Sequence, residues 1–173
     1  MKDWRRVVSR PMAFHSGRTS RRQPVARRAT ILLVEDDRHD VELLELAIAR
    51  AKASFCLVAV NNGHEAIQYL AGAGDFADRK KFPEPALVLL DLTMPGLSGF
   101  DVLRWMRMQP AGTMPPVVVL SYSRLEHERR LALELGAKQF VIKSVDLDGS
   151  VEMVRQLVQA WGLVPPESTE ERR

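Results

Sequence analysis

Five short apolar runs, each followed by a stretch of helical periodicity, constrain this chain more than any other feature. The runs are Thr30–Glu35, Phe55–Val60, Ala86–Asp91, Pro115–Ser121 and Gln139–Lys143. Each is strand-sized, carries β-branched residues and lacks the polar alternation of a half-exposed strand. A strand that is apolar on both faces must be covered on both, which points to a parallel sheet between two helix layers. Val41, Leu44 and Ile48 recur at helical spacing, with Glu42 and Glu45 on the other face, and predict a helix over about 38–51. Gly63–Ala71 reads as a second helix, Phe100, Leu103 and Met106 mark a third, and Arg124–Leu135 a fourth, closed by Gly136. Val151, Val154 and Val158 mark the last. Asn61-Asn62-Gly63, Ala73–Pro85 and Met94–Gly99 supply turn and loop chemistry between them. The β-then-α unit thus repeats five times, which predicts an α/β domain with a parallel five-stranded sheet between helix layers; in the doubly wound order 2-1-3-4-5, strands one and three are neighbours.

The 173 residues hold one such domain, expected over 30–162, with little left for a second. Residues 163–173 are rich in proline and charge and read as a frayed tail. Residues 1–29 carry Lys2 and eight arginines against Asp3, a surplus of eight positive charges. Residues 30–173 therefore hold 16 basic and 21 acidic residues, a net charge of −5 beneath an overall +3. The first 29 residues are expected to be a basic, disordered arm. Their arginine-rich, acid-poor composition overlaps with organellar transit peptides, and Met12 is an alternative start. Pro11, Pro24 and the missing apolar stretch exclude a secretory signal. Cys56 is alone, so one chain offers neither a disulfide framework nor a cysteine-based zinc site. No apolar run approaches the roughly 18 residues of a membrane span.

In an open parallel sheet the functional site lies beyond the carboxyl ends of the strands, where the strand order reverses. Strand one ends in Glu35-Asp36-Asp37, strand three in Asp91, strand four in Ser121 and strand five in Lys143. Any one of these is ordinary: an aspartate after a strand caps a helix, and a lysine is usually solvated. Together, at four of five strand ends, they form a chemical set. Clustered carboxylates repel unless a hard cation binds them, and Mg²⁺ suits one or two carboxylates plus a phosphate oxygen. Lys143 offers a compact cation and Ser121 a hydroxyl to a phosphoryl group. Asp91 is left free to attack phosphorus, as carboxylates do in forming aspartyl phosphates.

These residues resemble the receiver domains of two-component response regulators. The carrying segments are Ile31-Leu-Leu-Val-Glu-Asp-Asp37, Leu89-Leu-Asp-Leu-Thr-Met-Pro-Gly-Leu-Ser-Gly99, Val118-Val-Leu-Ser121 and Val141-Ile-Lys143, in family order and spacing. The resemblance implies a flavodoxin-like (βα)₅ fold. It implies that Asp91 is the phosphoacceptor and that Asp36 binds Mg²⁺ directly, Glu35 through water, with the backbone carbonyl of Thr93 as a further ligand. It implies that Ser121 and Lys143 contact the phosphoryl group, and that Phe140 is the aromatic switch residue that turns when the hydroxyl moves. The partner implied is a sensor histidine kinase or a phosphotransfer protein, in the cytoplasm. The long second loop, the Lys143-Ser144 pair and Trp161 are most similar to single-domain regulators serving bacterial phytochromes, some of which pair as homodimers.

Two positions, Ser144 and Tyr122, depart from the common family pattern, and Phe140 fills the aromatic position in place of tyrosine. Phe140 lacks a phenolic hydroxyl, so a switch there would work by packing alone. Ser144 stands where a proline usually follows the lysine, and a cis bond before serine costs about 3–4 kcal/mol. Tyr122 stands where a small residue is usual and is expected to narrow access to Asp91. A phosphatase with an aspartate nucleophile is a competing reading, but its second, acid-supplying aspartate is replaced by Thr93. Nucleic-acid or membrane binding through the arm is another, expected to be non-specific. His15, His39, His64 and His127 show no metal-ligand spacing, Cys56 reads as a small hydrophobe, and Trp105 and Trp161 as core or interface residues.

Overall fold

The computed structural model describes residues 7–8 and 29–163. Five strands, β1 (Thr30–Val34), β2 (Cys56–Val60), β3 (Leu87–Asp91), β4 (Val117–Ser121) and β5 (Gln139–Ile142), pair in parallel in the order β2-β1-β3-β4-β5. Helices α1 (Arg38–Arg50), α2 (Gly63–Ala71), α3 (Gly99–Arg107), α4 (Glu126–Glu134) and α5 (Leu147–Trp161) follow the strands in turn. This is the expected flavodoxin-like winding. Of the expected arm, only Val7, Val8 and Ala29 lie among the described residues. Val7 and Val8 add a two-residue strand, antiparallel to β2, which pairs Val7 with Val58 and Val8 with Leu57. The arm's arginines, Met12 and His15 lie outside the described residues.

Side-chain alternation along the strands builds two cores. Leu32, Val34, Val58, Val60, Val88 and Leu90 face one side and pack with Ala66, Tyr69, Val102 and Leu103 of α2 and α3. Ile31, Leu33, Leu57, Leu87, Leu89 and Leu120 face the other and pack with Val41, Leu44, Val151 and Val154 of α1 and α5. Burying each such side chain contributes about 1.5–3 kcal/mol, so two continuous layers fix the register of the sheet.

The boundaries differ from the sequence expectation where turn chemistry intervenes. Helix α4 begins at Glu126, two residues later than the pattern suggests. The Ser121 hydroxyl accepts the Ser123 N–H (3.1 Å) and the Ser123 hydroxyl accepts that of Leu125 (3.3 Å), so 121–125 is held as successive turns. Leu125 then offers α4 no side-chain cap, and Ala132 is its one buried residue. At its other end Gly136 closes the helix as expected: with φ +108° it lets the Ala137 N–H reach the Ala132 carbonyl (3.0 Å). Leu163, the first residue of the expected tail, is instead buried against the α1–α5 layer, and its N–H donates to the Val158 carbonyl (3.0 Å). Residues 164–173 lie outside the described residues.

Candidate functional site

Strand pairing stops at one edge of the sheet, and the polar residues begin there. The Glu35 N–H still donates to the Val60 carbonyl (3.0 Å), which carries the ladder one residue past β1. Its side chain is buried, and Oε1 accepts the Asp37 N–H (3.2 Å). Asp37 then caps α1 by accepting the His39 N–H (2.8 Å). Asp36 between them is more open to solvent than Glu35. Across the switch point, β3 ends in Asp91, only 5% exposed, whose Oδ2 accepts the Thr93 N–H (3.0 Å). Helix α3 starts hard against this strand end. A Cβ on Gly99 would collide with the Asp91 carbonyl oxygen, so glycine is what lets the helix begin there.

Strand β4 delivers Ser121, buried at the same edge. The Lys143 N–H donates to the Ser121 carbonyl (2.9 Å), which fixes the start of the segment after β5. The Lys143 side chain is 8% exposed and runs back across the strand ends. Its ammonium donates to Glu35 Oε2 (2.5 Å) and Asp40 Oδ2 (2.9 Å) and lies 3.2 Å from Asp91 Oδ1. Glu35, Asp36 and Asp91 each present a carboxylate oxygen, all within 4.8 Å of one another. The structure therefore gathers the three expected acids and the expected lysine. Ser121 stands on the neighbouring strand end. Phe140 is half-buried on β5 and packs against the α2–α3 core.

The electrostatics follow from burial. Loss of water pushes the Glu35 carboxyl up to about 7, against the pull of Lys143, and Asp91 adds to the rise. Asp91 is raised for the same first reason, with Lys143 and the Thr93 N–H opposing. Burial alone would lower Lys143, but Glu35, Asp91 and Asp40 outweigh it and hold the ammonium above the usual lysine range. Three oxygens so close, two of them on buried carboxyls carrying less stabilising charge than they need, make a donor set that suits a hard divalent cation.

One residue joins the site that the sequence did not assign to it, Asp40, and Tyr122, expected only to narrow access to Asp91, takes a partner there. Asp40, in the first turn of α1, is a third counter-ion for Lys143. Tyr122 is 46% exposed, donates its hydroxyl to Asp40 Oδ1 (2.8 Å), and sets its ring centroid 5.1 Å from the Lys143 ammonium. The sequence marks Tyr122 as unusual but gives no hint of its partner. No peptide bond among the described residues is cis, including the one between Lys143 and Ser144. His39, His64 and His127 are exposed, and Cys56, Trp105 and Trp161 are half-buried. At the place of a phosphatase's second aspartate, Thr93 offers Asp91 a backbone N–H and no acid.

Residues 31–155 match the response regulator receiver domain family. The response regulator Rcp1 of Synechocystis is 30% identical over 131 residues, 76% of this chain and 87% of that protein. Its Mn²⁺-bound form superposes with a TM-score of 0.67, covering 77% of this chain and 94% of that one. Response regulator RPA3017, described in red light signalling of R. palustris, is 33% identical with a TM-score of 0.74 and covers 82% and 99% of the two chains. The phosphorylated cyanobacterial phytochrome response regulator RcpA is 32% identical with a TM-score of 0.70, covering 79% and 94%. Among the described residues no helix is long and apolar enough to cross a membrane. Receivers take a phosphoryl group from histidine kinases and serve signalling rather than turnover of a substrate. With the family match over most of its length, and the strand-end set that the fold assembles, this chain belongs to the response regulator receiver domains of two-component systems.

Proposed function

We propose that Asp91 is the phosphoacceptor of this receiver and that Mg²⁺ bound by Glu35, Asp36 and Asp91 supports the transfer. The observation that carries the reading is the Lys143 ammonium lying between Asp91 and Glu35, with the three carboxylate oxygens within 4.8 Å of one another. An Asp91 oxygen attacks the phosphorus of a phosphohistidine in line. The new P–O bond forms as the P–N bond breaks, and the released imidazole takes its proton from solvent. Lys143 meets the charge that develops on the phosphoryl oxygens, and the Ser121 hydroxyl donates to another of them. Asp36 would hold the cation directly and Glu35 through water, and the Thr93 carbonyl would be a further ligand. When bound, the cation neutralises charge shared by the acids and the phosphoryl group.

The output is a shift of α4 and β5, with Phe140 repacking as Ser121 moves. Two features support this choice of elements: α4 has one buried residue and no side-chain cap, and no residue of β5 is fully buried. Relatives described in phytochrome and red light signalling support a light-sensing histidine kinase as the donor. The test is incubation with acetyl phosphate and Mg²⁺, read by intact mass. The wild type gains one phosphoryl group, and chelating the metal or changing Asp91→Asn removes it. An adduct that survives Asp91→Asn overturns the assignment.

A further inference from the structure

A lysine ammonium has three N–H donors, and the Lys143 ammonium lies against three carboxylates, donating to Glu35 and Asp40 and paired with Asp91. Glu35 and Asp91 belong to the cluster that the proposed function gives to a cation and a phosphoryl group. Asp40 does not. It stands on α1, outside the cluster, and its two oxygens are divided between two partners. Oδ2 accepts from Lys143 (2.9 Å) and Oδ1 from the Tyr122 hydroxyl (2.8 Å). The Tyr122 ring lies beside the ammonium. A cavity of about 20 Å³ adjoins these groups, lined by Asp40, Tyr122 and Lys143 together with Leu44, Leu120 and Met153, with room for about one water.

We propose that Asp40 is a positioning residue for Lys143 in phosphoryl transfer, held in place by the hydroxyl of Tyr122. The inference rests on the reading of Asp91 as acceptor. When a cation draws on Glu35 and a phosphoryl group forms on Asp91, two of the three anchors of the ammonium change partners. Asp40 is the anchor that remains, so Lys143 enters the reaction already oriented instead of searching the rotamers of its flexible stem. Tyr122, in the residue after Ser121, ties that anchor to the loop that carries the phosphate-binding hydroxyl.

The full chain tests this with acetyl phosphate as donor, beryllofluoride as phosphoryl mimic, and Mg²⁺ titrated separately by calorimetry. Asp40→Asn slows phosphorylation on the order of tenfold, as expected for one hydrogen bond to a charged group, and Tyr122→Phe slows it about threefold. The affinity for Mg²⁺ changes less than about threefold in both, because neither residue lies in the carboxylate cluster. In a Lys143→Gln background, adding Asp40→Asn slows the residual reaction no further. The Lys143 ammonium protons, followed by ¹⁵N NMR with Mg²⁺ and beryllofluoride present, stay slow to exchange in the wild type and exchange fast in Asp40→Asn. Equal losses in the two backgrounds, a parallel collapse of Mg²⁺ affinity, or an unchanged rate in both Asp40→Asn and Tyr122→Phe overturns the proposal. A wild type that takes no phosphoryl group overturns the functional reading instead.

Discussion

Tyr69 on α2 is fully buried and donates its hydroxyl to the Pro83 carbonyl at 2.8 Å; Tyr122 after β4 is nearly half exposed and donates to Asp40 at the same distance. A cation lies by each ring, Arg79 at 5.9 Å and Lys143 at 5.1 Å from the centroids. Each phenol is pushed up to about 12, by burial first in both and by Asp40 next for Tyr122. The difference is in what surrounds them. Tyr69 is wedged against Phe76 (5.2 Å) and Phe82 (6.1 Å), and its acceptor is backbone. Arg79 in turn spends its guanidinium on the carbonyls of Tyr69 (2.8 Å) and Leu70 (2.9 Å) at the end of α2. The acceptor of Tyr122 is a charged side chain shared with a lysine whose other partners belong to the site. The same parts therefore stabilise the fold where the acceptor is fixed, and position a reactive group where the acceptor is shared.

The sharpest way to break this comparison is to remove both rings. Tyr69→Ala is expected to cost about 3–5 kcal/mol, from lost transfer energy and the cavity left among Phe76 and Phe82. Tyr122→Ala is expected to cost under about 1 kcal/mol, since its ring is largely solvated. Urea unfolding measures both, and equal losses would erase the distinction between the two regions. Next come the cations. Lys143→Met strands Glu35, Asp40 and Asp91 without their shared charge and should cost about 3 kcal/mol without divalent metal, with much of the loss recovered in millimolar Mg²⁺. Arg79→Met gives up hydrogen bonds to the carbonyls of buried Tyr69 and Leu70, about 1–2 kcal/mol, with no dependence on Mg²⁺. An Mg²⁺-independent loss at Lys143 would mean that the ammonium and the metal do not answer to the same carboxylates.

The strand and helix order was legible because burial on both faces leaves unbroken apolar runs, and the site was legible because a strand's polar residues can only collect where its ladder ends. Glu35, Asp91, Ser121 and Lys143 announce themselves in that way. Asp40 does not. A carboxylate in the first turn of a helix is what the helix dipole favours anyway, so its type and place carry no signal beyond that. Its partner Lys143 lies 103 residues away. The aromatic corner was hidden for a similar reason: Phe76 and Phe82 sit in a loop whose charges and prolines read as solvent-exposed, and no periodicity links them to Tyr69. The start of α4 was misplaced because hydroxyl turns at Ser121 and Ser123, not a helix cap, decide where the chain begins to coil.

The smallest changes make the finest comparison, since they remove one oxygen from each ring. Tyr69→Phe leaves the Pro83 carbonyl without its buried donor and should cost about 1 kcal/mol, seen as a lower urea midpoint at unchanged slope. Tyr122→Phe leaves Asp40 Oδ1 facing solvent, where water replaces the phenol, so its stability should shift by less than about 0.5 kcal/mol. The effect of Tyr122→Phe belongs to the state of the site. Without Mg²⁺, Asp40 is one of three carboxylates sharing Lys143, and loss of the phenol is partly absorbed by the other two. With Mg²⁺ and beryllofluoride bound, Asp40 carries more of the ammonium's orientation, so the same substitution should weaken beryllofluoride binding while Tyr69→Phe leaves it untouched. A Tyr69→Phe variant that weakens the mimic as much as Tyr122→Phe would show that the two hydroxyls act through overall stability alone.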